Sequence, residues 1–184
     1  VINEQDQRKI GDANLAEWSY GFFLGAAYKG FDVKALFTGV ADRDYTYGDL
    51  NIMAFKNEAG NGNEWGGGSV QKYHWDNRYN PNDPSTWHTA KYPRLSLLGG
   101  THNRLDSDFW QDNGNFLRLK TLEIGYTLPQ SWTRKVRISK ARIFYTGYNL
   151  LTWHKMRVLD PESQPGVCNY PVQKVSSFGL SLQF

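Results

Sequence analysis

The chain has 184 residues, 21 basic and 18 acidic side chains, a formal charge of +3, and 15% aromatic residues. Its charge is spread without a basic block, which argues against a nucleic-acid partner, and no run of about 18 apolar residues could form a transmembrane helix. The mean hydropathy of −0.62 speaks against a helical membrane protein but leaves a β-barrel open, because barrel strands alternate between apolar and polar residues.

The chain starts Val1-Ile2-Asn3, with no Met and no charged-then-apolar leader, and reads as a processed chain or a carboxyl-terminal piece. Residues 1–16 are polar and end in turn formers, a lead-in loop. Trp18, Tyr20, Phe22, Leu24, Ala26 and Tyr28 then share one parity against Ser19, Gly21, Phe23, Gly25, Ala27 and Lys29. Period two means a strand with one apolar face, and about eleven residues suit a tilted membrane crossing. Lys29-Gly30 reads as a tight turn into a second strand, where Phe31, Val33, Ala35 and Phe37 continue the apolar parity. Leu36 and Val40 spoil its other side.

Residues 42–113 are crowded with Asp, Asn, Gly and Pro and studded with aromatics. They are predicted to form a long loop, with a short helix near Leu50 to Asn57 and a local hairpin. A loop of this length is uncommon unless it is functional or ordered by a partner. Strand pattern returns at Phe116. Leu122, Ile124, Tyr126 and Leu128 share a parity, yet Leu117 and Leu119 sit on the other. Either a bulge near Lys120 shifts the register or the upper part of the strand rises above the membrane. Pro129 ends the strand. The next, from Lys140 to Trp153, is apolar on both parities, so its faces stay unassigned. A Pro- and Gly-rich stretch over 154–171 precedes the last strand, where Phe178, Leu180, Leu182 and Phe184 alternate with Ser177, Gly179, Ser181 and Gln183. Short turns on one side and long loops on the other are the asymmetry of outer-membrane barrels.

No catalytic set emerges. His74, His88, His102 and His154 have no ligand spacing among themselves or with Cys168, and one cysteine can form neither an internal disulfide nor a structural zinc site. Asp42 with Asp44, and Asp106 with Asp108, read as turn formers. GNGNEWGGGS lacks the Lys-Ser/Thr of a phosphate loop, and no serine sits in a G-x-S-x-G elbow. No enzyme, metal or cofactor is expected. Trp65, Tyr73, Trp75, Trp87 and Tyr92 have the chemistry of a glycan or peptide contact, since flat rings stack while polar neighbours take hydrogen bonds. Packing within the loop or against a partner protein is the plainer reading. Trp18, Tyr20, Tyr28, Tyr126 and Trp153 read as membrane-interface girdles.

Six stretches, YGFFLGAAYKGFDVKALFTGV (20–40), KYPRLS (91–96), SDFWQDNGNFLRLKTLEIGYTLP (107–129), ARIFYTGYNLLTW (141–153), LDPE (159–162) and the Phe-terminated strand, together resemble the SusC-like (SusC/RagA) TonB-dependent transporters of Bacteroidota outer membranes. The resemblance implies an all-β fold: about five carboxyl-terminal strands (about 17–29, 31–41, 116–128, 140–153 and 173–184) of a 22-stranded antiparallel transmembrane β-barrel, with 42–113 as one long extracellular loop. By that resemblance, residues 1–184 are one barrel segment. Its assembly signal is Phe178, Leu180, Leu182 and Phe184, and Glu123 and Thr121 belong to the lumen. The implied function is TonB-dependent import of a glycan or oligopeptide. The implied partners are the remainder of the barrel, a SusD-like surface lipoprotein acting as a lid, TonB reached through the missing amino-terminal part, and outer-membrane lipid. Five strands cannot close a barrel, so the segment is not expected to exist alone. Two alternatives remain at this stage: a soluble aromatic-rich β-sandwich that binds carbohydrate, with the apolar parity in a closed core, and a porin-like channel without a plug domain.

Overall fold

A computed structural model describes residues 7–47, 54–55, 69–96, 105, 107–163 and 170–184. The chain divides into two compact units: residues 15–43, 114–155 and 171–184 in one, and residues 1–14, 44–113 and 156–170 in the other.

The first unit is a five-stranded antiparallel meander of β1 (Trp18–Tyr28), β2 (Phe31–Ala41), β5 (Phe116–Thr127), β6 (Lys140–His154) and β7 (Val175–Gln183), in that spatial order. Lys29 and Gly30, at φ 47° and 88°, form the two-residue connection whose left-handed pair matches strand twist. Gly30 is required twice over: besides its φ, a Cβ there would lie 2.8 Å from the Thr127 carbonyl oxygen. At the same end Pro129 opens α2 (Gln130–Thr133) and a 3-10 turn over Arg134–Val136. That turn closes on Arg137 in the left-handed region at φ 59°.

Register explains the sequence pattern. Tyr28, Phe31, Tyr126, Ile143 and Leu180 form one cross-strand row, and Ala26, Val33, Ile124, Tyr145 and Phe178 the next. Leu122 pairs with Ala35, but Leu119 pairs with Phe37, leaving Lys120 as the extra residue of a bulge. The bulge returns Leu117 and Leu119 to the side of Leu122 and Ile124, which resolves the broken parity in favour of a register shift. On β6 the step from Tyr148 to Leu151 opposes Thr121 to Leu119, with Asn149 at φ 53°. Its odd positions Ala141, Ile143, Tyr145, Leu151 and Trp153 therefore join the apolar face. Arg142, Thr146 and Thr152 fall on the other.

That apolar face is bare. Phe22, Leu180 and Leu182 are 44%, 60% and 43% exposed, and no second sheet or helix among the described residues covers them. A sandwich would bury this parity, so the soluble alternative is not supported. Cross-strand ring pairs tie the face together: Phe22 stacks on Phe37 at 4.8 Å, and Tyr145 meets Phe178 at 5.2 Å.

The second unit has its own ladder, β3 (Asp44–Thr46) against β4 (Gln111–Asn113), and its own helix α1 (Lys72–Asn77). The ladder joins the two ends of the predicted loop and is not the local hairpin expected within it. The helix expected near Leu50 to Asn57 lies largely outside the described residues. Tyr45, Tyr47, Tyr92, Trp110 and Met156 make this unit's core, with Tyr73 and Leu159 packed against it.

Candidate functional site

The polar face of the sheet carries an ion network spanning three strands. Arg142 on β6 donates from Nε to Asp32 Oδ1 on β2 at 3.0 Å, from Nη2 to Asp32 Oδ2, and from Nη2 to Glu123 Oε1 on β5 at 2.6 Å. Lys34 Nζ lies 3.8 Å from Glu123. Arg142 reaches across β5 at Gly125, the register partner of Asp32, where a Cβ would sit 2.3 Å from the guanidinium. Glycine therefore opens the path for the arginine. Of this network only Glu123 was singled out in the sequence. Asp32 and Lys34 lie on the parity opposite the aromatics of β2, but Arg142 shares its parity with Phe144 and Tyr148, so β6 carried no such signal.

The apolar face carries the predicted girdle residues. Tyr20 and Trp153 share the row Tyr20, Gly39, Leu117, Trp153, while Tyr28 and Tyr126 share the row beside the tight turn. Trp18, Tyr20, Tyr28 and Trp153 are exposed. From Trp18 to Tyr28 is about 33 Å along the strand, or about 25 Å of membrane depth at a tilt of ~40°, the height of a barrel's apolar band. Tyr20 is also tied to the wall, its hydroxyl donating to the Phe116 carbonyl at 3.1 Å. Phe178, Leu180, Leu182 and Phe184 are all exposed.

In the loop unit the four described candidate contact residues separate. Tyr92 is buried, edge-on to Tyr73, His74 and Phe109. Burial pushes its hydroxyl up to about 12. Its ring belongs to the core, with Tyr73 half-buried against it. Trp75 and Trp87 remain 53% and 50% exposed. The Arg78 guanidinium lies 3.7 Å over the Trp75 ring, and Trp87 Nε1 donates to the Asn80 carbonyl at 3.2 Å. Trp65, Cys168, His102 and Asp106 lie outside the described residues. Among the described residues no group of three His, Cys, Asp or Glu side chains could hold a metal.

A second node holds the loop's return segment. Asp112 accepts from the Tyr47 hydroxyl at 2.6 Å, and from Arg157 N and Nε, both at 2.7 Å. Arg157 Nη2 donates to the Phe109 carbonyl at 2.8 Å. His74, 2% exposed, has neither ring nitrogen hydrogen-bonded. Burial lowers its pKa, and nearby Arg157 lowers it further.

A meander with one bare apolar face, an ion-paired polar face and ring-lined ends defines a length of transmembrane β-barrel wall. No family model matches the chain. TonB-dependent receptor P3 of Formosa agariphila is 28% identical over 200 residues, covering 100% of this chain and 18% of that protein. TonB-dependent receptor SusC of Bacteroides thetaiotaomicron is 33% identical over 81 residues, 42% of this chain and 8% of SusC. The RagAB peptide importer in the open-open state superposes with a TM-score of 0.67 at 25% identity, over 100% of this chain and 19% of that one. A second RagAB structure, at 21% identity and a TM-score of 0.69, repeats the fold. The chain is similar over its whole length to TonB-dependent receptors, and spans about a fifth of the length of the relatives it matches in full.

Two outcomes follow from the geometry. In the complete barrel, Gly125→Ala is expected to uncouple Arg142 from Asp32. A double-mutant cycle with Asp32→Ala should then show the wild-type coupling, on the order of 1–3 kcal/mol for a charged hydrogen-bonded pair, fall to near zero in urea titrations. For His74 the folded pKa lies below the unfolded value of about 6.5, so the unfolded loop takes up a proton that the folded loop refuses. Stability is full above that value and falls with acid until the folded pKa is reached. Amides of residues 72–92 should lose protection between pH 7.5 and 5.5, by up to about tenfold per pH unit below 6.5, after correction for intrinsic exchange. His74→Phe should abolish the slope.

Proposed function

We propose that the chain is a stretch of the lipid-embedded wall, with one long extracellular loop region, of a TonB-dependent nutrient importer in the outer membrane. The observation that carries this reading is the two-faced sheet. Hydrocarbon is the solvent in which an uncovered face of Phe22, Leu24, Phe178 and Leu180 costs nothing. A water-filled lumen is the medium that suits the Asp32–Arg142–Glu123 network opposite. Residues 1–184 form one barrel segment, completed by further strands of the same receptor. Phe178, Leu180, Leu182 and Phe184 act as its assembly signal.

The cargo is a glycan or an oligopeptide, held between the loops and a SusD-type surface lipoprotein; the peptide-transporter name of RagAB supports the oligopeptide. TonB then displaces a plug within the barrel, and the cargo passes to the periplasm along the polar face. Trp75 and Trp87 are the rings this chain offers to cargo or lid, because theirs are the exposed ones among the described candidates.

A charge placed on each face distinguishes lipid from lumen. Leu24→Arg should destabilise the complete barrel by about 2–4 kcal/mol, and Ser177→Arg on the polar parity by less than about 1 kcal/mol, read by urea unfolding in vesicles. Equal costs would remove the membrane assignment. Trp75→Ala with Trp87→Ala should leave insertion unchanged and reduce uptake, or retention of the lipoprotein, several-fold in cells.

A further inference from the structure

The end of the sheet with the tight turns carries a feature that import does not use. Lys29 lies in the β1–β2 turn, Arg134, Lys135 and Arg137 in the β5–β6 connection, and Lys140 at the first position of β6. All five are exposed, and none has an ion pair among the described residues. The connection from Pro129 to Ser139 contains no Asp or Glu. The acids nearest in the sheet, Asp32 and Glu123, are already held by Arg142.

The connection is also folded rather than slack. Thr133 is buried, Ile138 N donates to the Thr133 carbonyl at 3.1 Å, and Ser139 N donates to the Gln183 carbonyl at 2.7 Å. Thr127 N donates to the Gly30 carbonyl at 2.7 Å, which sets the Lys29 turn beside the end of β5. The backbone that carries the cations is therefore held in place, and on β1, β2 and β5 it follows directly on the Tyr28–Tyr126 ring row. Trp132, in the same connection, is exposed.

We infer that this basic rim, with Trp132 beside it, binds the headgroups of anionic phospholipids in the leaflet at the tight-turn end of the wall. Charge complementarity and continuity with the lipid-facing surface both favour a lipid over a soluble partner. An unpaired cation level with a headgroup phosphate gains attraction that falls off within a Debye length, and an indole belongs at that depth. The inference rests on the apolar face meeting lipid.

The test uses the complete receptor reconstituted in phosphatidylcholine vesicles, with or without one third phosphatidylglycerol, with unfolding followed by heat-modifiable gel migration. Wild type should unfold several-fold more slowly with phosphatidylglycerol, and 0.5 M salt should erase the difference. The variant K29Q/R134Q/K135Q/R137Q/K140Q should insert in phosphatidylcholine as wild type does but lose the phosphatidylglycerol effect. Exchanging Lys for Arg, and Arg for Lys, at the same five positions should keep it. An undiminished effect in the Gln variant would overturn the inference while leaving the wall intact. Tighter binding of soluble poly-glutamate than of anionic vesicles would overturn it in favour of an acidic protein. Failure of wild type to insert in either lipid would remove the membrane reading itself.

Discussion

Five strands keep their apolar residues in phase, and the rest of the molecule follows from that agreement. Side chains alternate with a period of two, so a slip of one residue in any ladder would turn a whole strand inside out. Here each such slip would put Arg142 or Asp32 into hydrocarbon and Phe22 or Leu180 into water. The sheet holds phase through Phe22 on Phe37 and Tyr145 on Phe178 on one side, and through the Arg142 bridge on the other. The bridge runs diagonally over Gly125 and ties β6 to β2 without a shared ladder. It gives the register a second anchor, independent of backbone hydrogen bonds.

Much of this was legible in the residues because strand periodicity is local. The parity of 18–28, 31–37 and 178–184 follows from the order of side chains alone. The face of β5 above Lys120 did not follow, because parity is conserved only between irregularities, and that of β6 did not because it is apolar on both parities. Lys120 adds one residue to β5, and β6 takes up two between Tyr148 and Leu151. The first reverses parity and the second leaves it unchanged, so the two neighbours look unrelated in sequence while pairing throughout. A left-handed Asn149 marks such a site only once its φ is known, since asparagine is also an ordinary turn residue.

The loop aromatics were less legible, for a different physical reason. A tyrosine or tryptophan has the same amphipathic chemistry whether its ring is stacked inside or offered outside. Tyr92 and Trp87 stand five residues apart in similar polar surroundings. One closes the core against Trp110, and the other keeps half its surface in solvent. Composition identified a region rich in rings. Which rings were spare depended on Tyr45, Tyr47 and Met156, which approach from distant parts of the chain.

The β3–β4 ladder has a kinetic corollary. Joining β2 to β5 directly would close a gap from Ala41 to Phe116, whereas β1 and β2 are separated by two residues. The entropic difference between such closures is roughly 3 kcal/mol. Pairing Asp44 with Asn113 would meet nearly all of that cost at its own ladder, because the strands beyond each end then start as neighbours. The hairpin of β1 and β2 can form in microseconds, whereas β2 and β5 meet only across the long excursion between them.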